Sequence, residues 1–308
     1  MADSITGVGF IGLGVMGSRM ARRLVDAGYR VHAYDLKPEA VDVLVRAGAH
    51  AATSCTDVGN KARVVFCSLG MPEHVHDAVL GATGIAKGST VRVIVDLSST
   101  GAVMEQKIAA SLKGTGISLV DSPVSGGSHG AEAGTLTLMC AGPRAAFEEA
   151  EPMLKNIGKN IFWLSDDTGR GQTMKMINNM VAAASTIASF EAMVLGVKAG
   201  LDPQTMCDVL NVSGGVTVGS LHKIPKCVLP RTFPNLFSTD LMYKDVRLGA
   251  EEAESLGVPL WVIESAKNFL KFAISQGDGP IDWANGIKHF ENWAGVTVGK
   301  GNKEEGNT

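Results

Sequence analysis

The amino-acid sequence predicts an α/β domain with a doubly wound parallel sheet, followed by an all-helical domain that a long helix joins to it. At 308 residues the chain is long enough for two domains. Short apolar runs typical of buried strands alternate with helical stretches up to Asp121. Residues 172–199 lack proline and repeat apolar side chains at helical spacing over about seven turns. Beyond Gly200 the pattern is helical. We therefore place the sheet domain at residues 1–168 and the helical domain at residues 169–308.

A glycine-rich turn follows the first predicted strand, residues 8–11. The turn reads Gly12-Leu13-Gly14-Val15-Met16-Gly17 and opens a helical stretch, residues 15–28. In a G-x-G-x-x-G turn the first glycine allows the tight turn, the second lets the backbone approach a pyrophosphate, and the third lets the helix pack on the strand. The helix N-terminus offers N–H groups and the positive end of its dipole to phosphates. The turn therefore predicts a Rossmann-type, dinucleotide-binding domain.

An acidic residue ends the second predicted strand, residues 30–34. Asp35 lies about 20 residues beyond the glycine turn, where a carboxylate accepts hydrogen bonds from a ribose 2′-OH. Because a carboxylate there repels a 2′-phosphate, we expect NAD to be preferred to NADP. Arg30 and Lys37 lie nearby and could offset that charge, so NADP stays possible.

Three loops follow further predicted strands at residues 63–69, 91–97 and 116–121. In doubly wound sheets, ligands bind outside the carboxyl ends of the strands. The third loop is rich in hydroxyls and has backbone N–H groups without side-chain bulk at its glycines, which suits a carboxylate or hydroxyl group of a small ligand. The loops are Leu69-Gly70-Met71-Pro72, Ser98-Ser99-Thr100, and Ser122-Pro123-Val124-Ser125-Gly126-Gly127.

The long helix carries two polar side chains on one face. Lys175 and Asn179 are four residues apart, and small residues continue the same face at Ala182, Ala183 and Thr186. Such a narrow polar stripe indicates a surface on which a ligand lies. Taken alone, a surface lysine and a helical asparagine would explain the pattern equally well.

Composition excludes several other classes of function. The net charge of −3 does not favour nucleic acid or an anionic membrane, and no uninterrupted apolar run of membrane-spanning length is evident. No signal-peptide pattern is seen, and the five scattered cysteines show no C-x-x-C spacing, so we expect reduced thiols and a cytoplasmic location. His74 and His76 have no third ligand near them in sequence, so no metal site is expected.

Four motifs in order give the chain a resemblance to one family over roughly residues 7–298. They are Gly9-Phe10-Ile11-Gly12-Leu13-Gly14-Val15-Met16-Gly17 with Met20-Ala21; Asp121-Ser122-Pro123-Val124-Ser125-Gly126-Gly127; Gly169-x-Gly171-x-x-x-Lys175-x-x-Asn178-Asn179; and Lys244-Asp245-Val246-x-Leu248. With these the chain resembles the β-hydroxyacid dehydrogenase family, whose members include 3-hydroxyisobutyrate dehydrogenase and tartronate semialdehyde reductase.

The resemblance implies a role for each matching residue. Lys175 would be the catalytic acid/base and Asn179 would hold the substrate, whose carboxylate would meet Ser122, Gly126 and Gly127. The glycine turn, Leu69, Gly70, Ser99 and Lys244 would hold the cofactor. Two positions depart from the family, which often has proline at Gly70 and asparagine at Arg23; these changes affect the placement of the cofactor rather than the reaction.

The resemblance therefore implies hydride transfer between NAD(H) and a short hydroxyacid or its semialdehyde or keto form. Because Lys175 belongs to the helix that ends the first domain, we expect the site where the two domains meet. The long apolar helix and the apolar surface of the small helical domain predict a homodimer or homotetramer. His129 is a competing acid/base, because it follows the Ser-Gly-Gly loop and histidine is the commonest general base. Its neighbours Ser128 and Gly130 indicate a mobile loop, which argues against that role. Two alternatives remain for the whole protein. An imine reductase shares the fold but generally lacks lysine at the catalytic position, and a non-catalytic NAD-binding sensor would need no acid/base.

Overall fold

The computed structural model describes residues 7–299. The chain divides into two compact units, Met1–Lys175 and Met176–Thr308, and the division falls inside one long helix. The boundary expected from sequence preceded that helix, at residues 168 and 169, whereas this division assigns the first turn and a half of the helix to the N-terminal unit.

The N-terminal unit contains a nine-stranded sheet in the order β3-β2-β1-β4-β5-β6-β8-β7, with β9 paired to the other edge of β8. In the run β3-β2-β1-β4-β5-β6, each strand is parallel to the next. Their bounds are β1 (Gly7–Ile11), β2 (Arg30–Tyr34), β3 (His50–Ala51), β4 (Val64–Cys67), β5 (Val93–Asp96), β6 (Ser118–Asp121), β7 (Val124–Ser125), β8 (Leu136–Ala141) and β9 (Gly158–Ser165).

The register of the parallel strands aligns their carboxyl ends. Ile11 pairs with Cys67, Cys67 with Asp96, and Asp96 with Asp121, so the last residues of β1, β4, β5 and β6 form one row across the sheet. Tyr34 at the end of β2 continues this row on the other side of β1. The loops that follow these strands therefore all emerge at one edge of the sheet.

Helices cover both faces of the sheet, so the central strands are mainly apolar. One core, which includes Phe10 and Phe66, lies on one face, and a second, which includes Val65 and Ile94, lies on the other. Successive side chains of β4 alternate between the two cores, as the two-residue period of a strand requires. The helices are α1 (Gly17–Asp26), α2 (Pro38–Arg46), α3 (Cys55–Lys61), α4 (Pro72–Leu80), α5 (Ala102–Ser111), α6 (Gly127–Ala133) and α7 (Arg144–Ile157), with a short 3₁₀ helix, Ile85–Lys87.

The last part of the sheet was not anticipated from the sequence, which predicted only parallel strands. β8 runs antiparallel to β6 and to β7, and then pairs in parallel with β9. Short runs such as β7 carry too little periodicity to be distinguished from a loop, so their pairing is visible only in three dimensions.

The C-terminal unit is helical over the residues that the structure describes, apart from one isolated β-bridge between Ser238 and Asp282. This confirms the all-helical prediction. Asp202 caps a helix by accepting a hydrogen bond from the Thr205 N–H, with Pro203 at the first helical position, as predicted. The elements are α8 (Arg170–Lys198), shared with the N-terminal unit, α9 (Pro203–Asn211), α10 (Thr239–Ser255), α11 (Trp261–Ala273) and α12 (Ile287–Ala294), with π-helical segments Gly219–Val228 and Ile274–Asp278 and a 3₁₀ helix, Trp283–Gly286.

α8 is 29 residues long and apolar enough, by length and composition alone, to cross a membrane. Half of its most apolar 18-residue window is buried inside the protein. The buried side chains Phe190 and Met193 contribute to one core of the C-terminal unit, and Ala183 and Ile187 to another. A core helix of this length passes the same test, so the composition of α8 is explained by packing.

Candidate active site

The glycine turn between β1 and α1 has the geometry of a phosphate-binding turn. Gly12 has a φ of +89°, and a Cβ there would clash with the Ser68 carbonyl oxygen. A Cβ on Gly17 would clash with the Gly12 carbonyl oxygen, whereas a Cβ on Gly14 would meet no atom within 4 Å. The space at Gly14 is therefore open to a ligand. No side chain caps the start of α1, and a helix N-terminus in this position can bind a phosphate.

Asp35 lies beside this turn at the end of β2. Its Oδ2 accepts a hydrogen bond from the Leu13 N–H at 2.6 Å, and its Oδ1 accepts one from the Lys37 N–H at 2.8 Å. Each carboxylate oxygen keeps a second lone pair, with which it can accept from a ribose hydroxyl. The turn and Asp35 together therefore fit a dinucleotide, as the sequence indicated.

The loops after β4 and β5 are held together by Ser98, a buried residue that sequence analysis gave no role of its own. Its Oγ accepts a hydrogen bond from the Leu69 N–H at 2.8 Å. A Cβ on Gly70 would meet nothing within 4 Å, so the backbone next to Leu69 is open. Ser98 thus connects the two loops that carry the predicted cofactor residues Leu69, Gly70 and Ser99.

The predicted ligand-binding residues of the loop after β6 differ in how far they are exposed. Ser122 is fully buried, and its Oγ lies 3.2 Å from the Sγ of Cys140, whose thiol pKa burial raises to about 12. The glycines Gly126 and Gly127 are exposed and have φ values of +130° and +64°. His129 is exposed on α6, so the mobile segment expected around it is a helix instead.

Three carboxyl groups that sequence analysis did not connect lie buried at the strand ends. Asp96 and Asp121 end β5 and β6, and Glu105 lies on α5; all three are fully buried. Burial, and then the negative charge of Asp96, raise the pKa of Glu105 well above its usual value. Burial also raises the pKa of Asp121 to about 7, against the opposing effect of the N–H groups of Gly169 and Gln172.

Lys175 and Asn179 are both almost fully buried, with 8% and 6% of their surface exposed. They lie one turn apart on the continuous helix α8. Within the C-terminal unit, Asn179 Nδ2 donates to Asp245 Oδ2 at 2.6 Å, and Asn179 Oδ1 accepts from Asn178 Nδ2 at 2.9 Å.

Asp245 also pairs with a second predicted site residue. Lys244 Nζ lies 3.1 Å from Asp245 Oδ1, and both residues are buried on α10. The structure therefore brings together Asn179 and Lys244, which are 65 residues apart, through a carboxylate that belonged to the fourth motif but had been given no role. Over residues 7–299 no group of three or more histidine, cysteine, aspartate or glutamate side chains could hold a metal ion.

Comparison with known families agrees with this geometry. Residues 7–165 match the model of the NAD binding domain of 6-phosphogluconate dehydrogenase. Residues 169–290 match the model described as NAD-binding of NADP-dependent 3-hydroxyisobutyrate dehydrogenase. Together the two models span nearly all of the region in which the site residues lie.

Individual relatives extend over the full chain. The sequence is 37% identical over 297 residues to 2-(hydroxymethyl)glutarate dehydrogenase of Eubacterium barkeri, and the alignment covers 96% of this chain and 98% of that protein. A solved 3-hydroxyisobutyrate dehydrogenase of Mycobacterium tuberculosis with L-serine is 29% identical, with a TM-score of 0.83 over 93% of this chain and 99% of that one. An imine reductase from Myxococcus stipitatus is only 17% identical, with a TM-score of 0.63 over 93% of this chain and 99% of that one, and so shares the fold alone.

The fold, the dinucleotide turn and these relatives define an NAD(P)-dependent oxidoreductase that acts on CH–OH groups. Within that class, the chain belongs to the 3-hydroxyisobutyrate dehydrogenase family of hydroxyacid dehydrogenases. The family, the fold class, the cofactor type and the reaction class expected from sequence are thereby confirmed, and the imine-reductase and sensor alternatives are not supported.

Proposed function

We propose that this enzyme oxidises the hydroxymethyl group of a small carboxylic acid to the semialdehyde, with NAD as the preferred acceptor and Lys175 as the acid/base. The observation that carries the proposal is the placement of Lys175 and Asn179, an amine and an amide that are nearly buried and one turn apart on α8. An oxidoreductase that moves a hydride and a proton needs one group that can accept and return that proton.

The substrate class follows from what the substrates of the relatives share. 3-Hydroxyisobutyrate, 2-(hydroxymethyl)glutarate and L-serine, after which relatives of this chain are named as dehydrogenases, all carry a hydroxymethyl group on the carbon next to a carboxylate. They have the common form HO–CH2–CH(R)–COO⁻ and differ only in R, which is a methyl, a carboxyethyl or an ammonium group. We propose that the substrate of this enzyme is a member of the same series.

Each residue of the site would have a separate role. The backbone N–H groups at Gly126 and Gly127 would bind the carboxylate, and Asn179 would hold the hydroxyl end. Ser122, expected from sequence to meet the carboxylate, is fully buried with its Oγ against Cys140 and would support the loop instead. The neutral amine of Lys175 would take the hydroxyl proton and pass it to water; in the reverse direction its ammonium form would protonate the carbonyl oxygen. The nicotinamide, when bound, supplies the hydride acceptor.

Asp245 supports the role of Asn179 by fixing its amide. With Nδ2 donating to Asp245 and Oδ1 accepting from Asn178, the amide cannot flip without losing both hydrogen bonds. Asn179 Nδ2 keeps a second N–H and Oδ1 keeps a second lone pair, and both can form hydrogen bonds with a ligand. A fixed amide costs less entropy on binding than a mobile one.

We propose that the enzyme is a homodimer or homotetramer in a cytoplasmic compartment. The C-terminal unit exposes large apolar side chains, among them Trp261 (85% exposed), Val262 (69%) and Leu195 (71%), and burial of such surface drives association. All five cysteines are buried and unpaired, which fits a reducing compartment. Light scattering of the protein as it elutes from a size-exclusion column gives the mass of the oligomer directly. A monomer at micromolar concentration would contradict the proposed homodimer or homotetramer.

The main test is initial-rate reduction of NAD and of NADP with 3-hydroxyisobutyrate, 2-(hydroxymethyl)glutarate, L-serine, 3-hydroxypropionate, glycerate and 4-hydroxybutyrate. We expect turnover with one or more HO–CH2–CH(R)–COO⁻ compounds and none with 4-hydroxybutyrate, in which the hydroxyl is too far from the carboxylate. Cofactor binding without turnover of any compound would contradict the proposal and favour a sensor.

A further inference from the structure

Gln172 is a fully buried side chain that connects the start of α8 to the loop after β5. Its Oε1 accepts hydrogen bonds from the N–H groups of Thr100 at 2.9 Å and Gly101 at 3.1 Å. Its Nε2 donates to the Ser98 carbonyl oxygen at 3.0 Å. One amide therefore holds both ends of the turn that contains Ser99, and it lies three residues before Lys175.

The backbone of the same residue is held by the sheet. The Gln172 N–H donates to Asp121 Oδ2 at 2.9 Å, and the Gly169 N–H donates to Asp121 Oδ1 at 2.7 Å. A Cβ on Gly171 would lie 2.6 Å from Asp121 Oδ2 and would clash with the Met139 carbonyl oxygen. The first turn of α8 is thus fixed against the end of β6 and the middle of β8, with no room to shift toward them.

The turn after β5 is fixed in the same way by its own strand. Thr100 Oγ1 donates to Asp96 Oδ2 at 2.5 Å, and the Ser98 N–H donates to Asp96 Oδ1 at 3.0 Å. A continuous set of buried hydrogen bonds thereby runs from the turn at residues 98–101, through Gln172, to the helix that carries Lys175.

We propose that Gln172 is a positioning residue that sets the distance between Lys175 and the nicotinamide-side turn, and so aligns proton transfer with hydride transfer. The inference rests on the proposed function, in which Lys175 handles the proton and Ser99 lies at the nicotinamide ribose. Hydride and proton leave neighbouring atoms of one substrate, so the acceptor of each must be placed with respect to the other. The side chain of Gln172 is hydrogen-bonded directly to the turn that contains Ser99, and Gln172 lies on the same helix as Lys175.

Gln172→Met tests this, because methionine keeps the length and volume of the side chain but makes none of the three hydrogen bonds. Misplacement of a catalytic group by about 1 Å costs up to roughly 100-fold in rate, so we expect kcat to fall about 10- to 100-fold. The KM for NAD should change less than about threefold, because the glycine turn and Asp35 are untouched. The deuterium isotope effect on kcat with substrate labelled at the hydroxymethyl carbon should rise, since hydride transfer becomes the slow step.

Ser54→Ala is the matched control for stability. Ser54 caps α3 with an Oγ that accepts from the Asp57 N–H at 3.0 Å, so its loss costs about 1 kcal/mol without touching the Gln172 network. A folded Gln172→Met protein whose kcat and isotope effect equal those of Ser54→Ala would overturn the proposal. So would a defect confined to KM. If Gln172→Met does not fold, Asp121→Asn weakens the other end of the network and should show the same kinetic signature.

Hydrogen exchange separates this inference from the proposed function. In Gln172→Met, the amides of residues 98–101 and of residues 169–175 should lose protection together, whether or not the wild-type enzyme turns over any tested hydroxyacid. If the wild-type protein is inactive but Gln172→Met shows this joint loss of protection, the proposed function is refuted and the connection through Gln172 is not. Loss of protection in only one of the two segments would refute the connection between them.

Discussion

Asp35 determines, in our proposal, the preference for NAD over NADP, and Asp35→Asn tests it with little change of shape. The asparagine Oδ1 can still accept one of the two backbone hydrogen bonds that the carboxylate now accepts from Leu13 and Lys37. The turn should therefore keep its conformation. What changes is the charge that faces the ribose.

The size of the effect can be worked from that environment. A hydrogen bond to a charged group contributes about 1.5–3 kcal/mol, against about 1 kcal/mol for a neutral one, so NAD should lose about 0.5–2 kcal/mol. Two charges about 4 Å apart near a protein surface repel by about 4 kcal/mol; Asp35 is only partly buried, and screening reduces this to about 1 kcal/mol that NADP regains. The ratio of kcat/KM for NAD to that for NADP should therefore fall by about 10- to 150-fold.

The assay measures kcat/KM for both cofactors at a saturating concentration of the best substrate. Asp42→Asn is the control, because Asp42 is exposed on α2 and its loss changes the net charge by the same amount. A folded Asp35→Asn enzyme whose cofactor ratio stays within about threefold of that of Asp42→Asn would refute the reasoning. Specificity would then have to come from other residues near the ribose.

Further predictions concern α8, the helix that carries Lys175. Lys175→Met should lower kcat by about 10²- to 10⁴-fold, while the Kd for NADH, followed by fluorescence, stays within about threefold. Lys175→Arg should be equally slow, because a guanidinium stays protonated. Lys107→Ala, at an exposed site on α5, is the control, and near-normal turnover of Lys175→Met would remove the lysine from the mechanism. Gly171→Ala should destabilise the protein by about 1–3 kcal/mol, because its Cβ meets Met139 and Asp121. Gly214→Ala, where a Cβ meets nothing within 4 Å, should stay within about 0.5 kcal/mol, and equal melting temperatures for the two would contradict the packing of the helix start.

Asp121 adds a prediction about pH. Its pKa is raised by burial from 3.8 to about 7, and Asp96 on β5, Glu105 on α5 and Cys140 on β8 are the titratable groups around it. A raised pKa means that its contribution to stability is complete below about pH 4 and is lost as the pH rises through about 7. The melting temperature of the wild type should therefore fall relative to that of Asp121→Asn between pH 5 and pH 8.5, and parallel curves would show that Asp121 does not titrate in this range.

The sequence by itself determined the features that depend on neighbouring residues. The glycine turn, Asp35 at the end of β2, the Asp202 cap and the long helix were all recognisable, because a turn, a cap or a helical period is encoded within one stretch of chain. The order of four motifs was enough to indicate the family, and full-length relatives confirm it. The roles of Lys175 and the other site residues remain predictions.

Only the tertiary structure decided which distant polar groups meet. Asp121 and Gln172 are 51 residues apart and Asn179 and Asp245 are 66 apart, so no local pattern connects them. The sequence likewise did not show that Ser122 faces Cys140, or that β8 runs antiparallel to β6. Buried carboxyls and amides are recognisable as a network only once the fold has removed them from water, because burial forces each of them to find a partner.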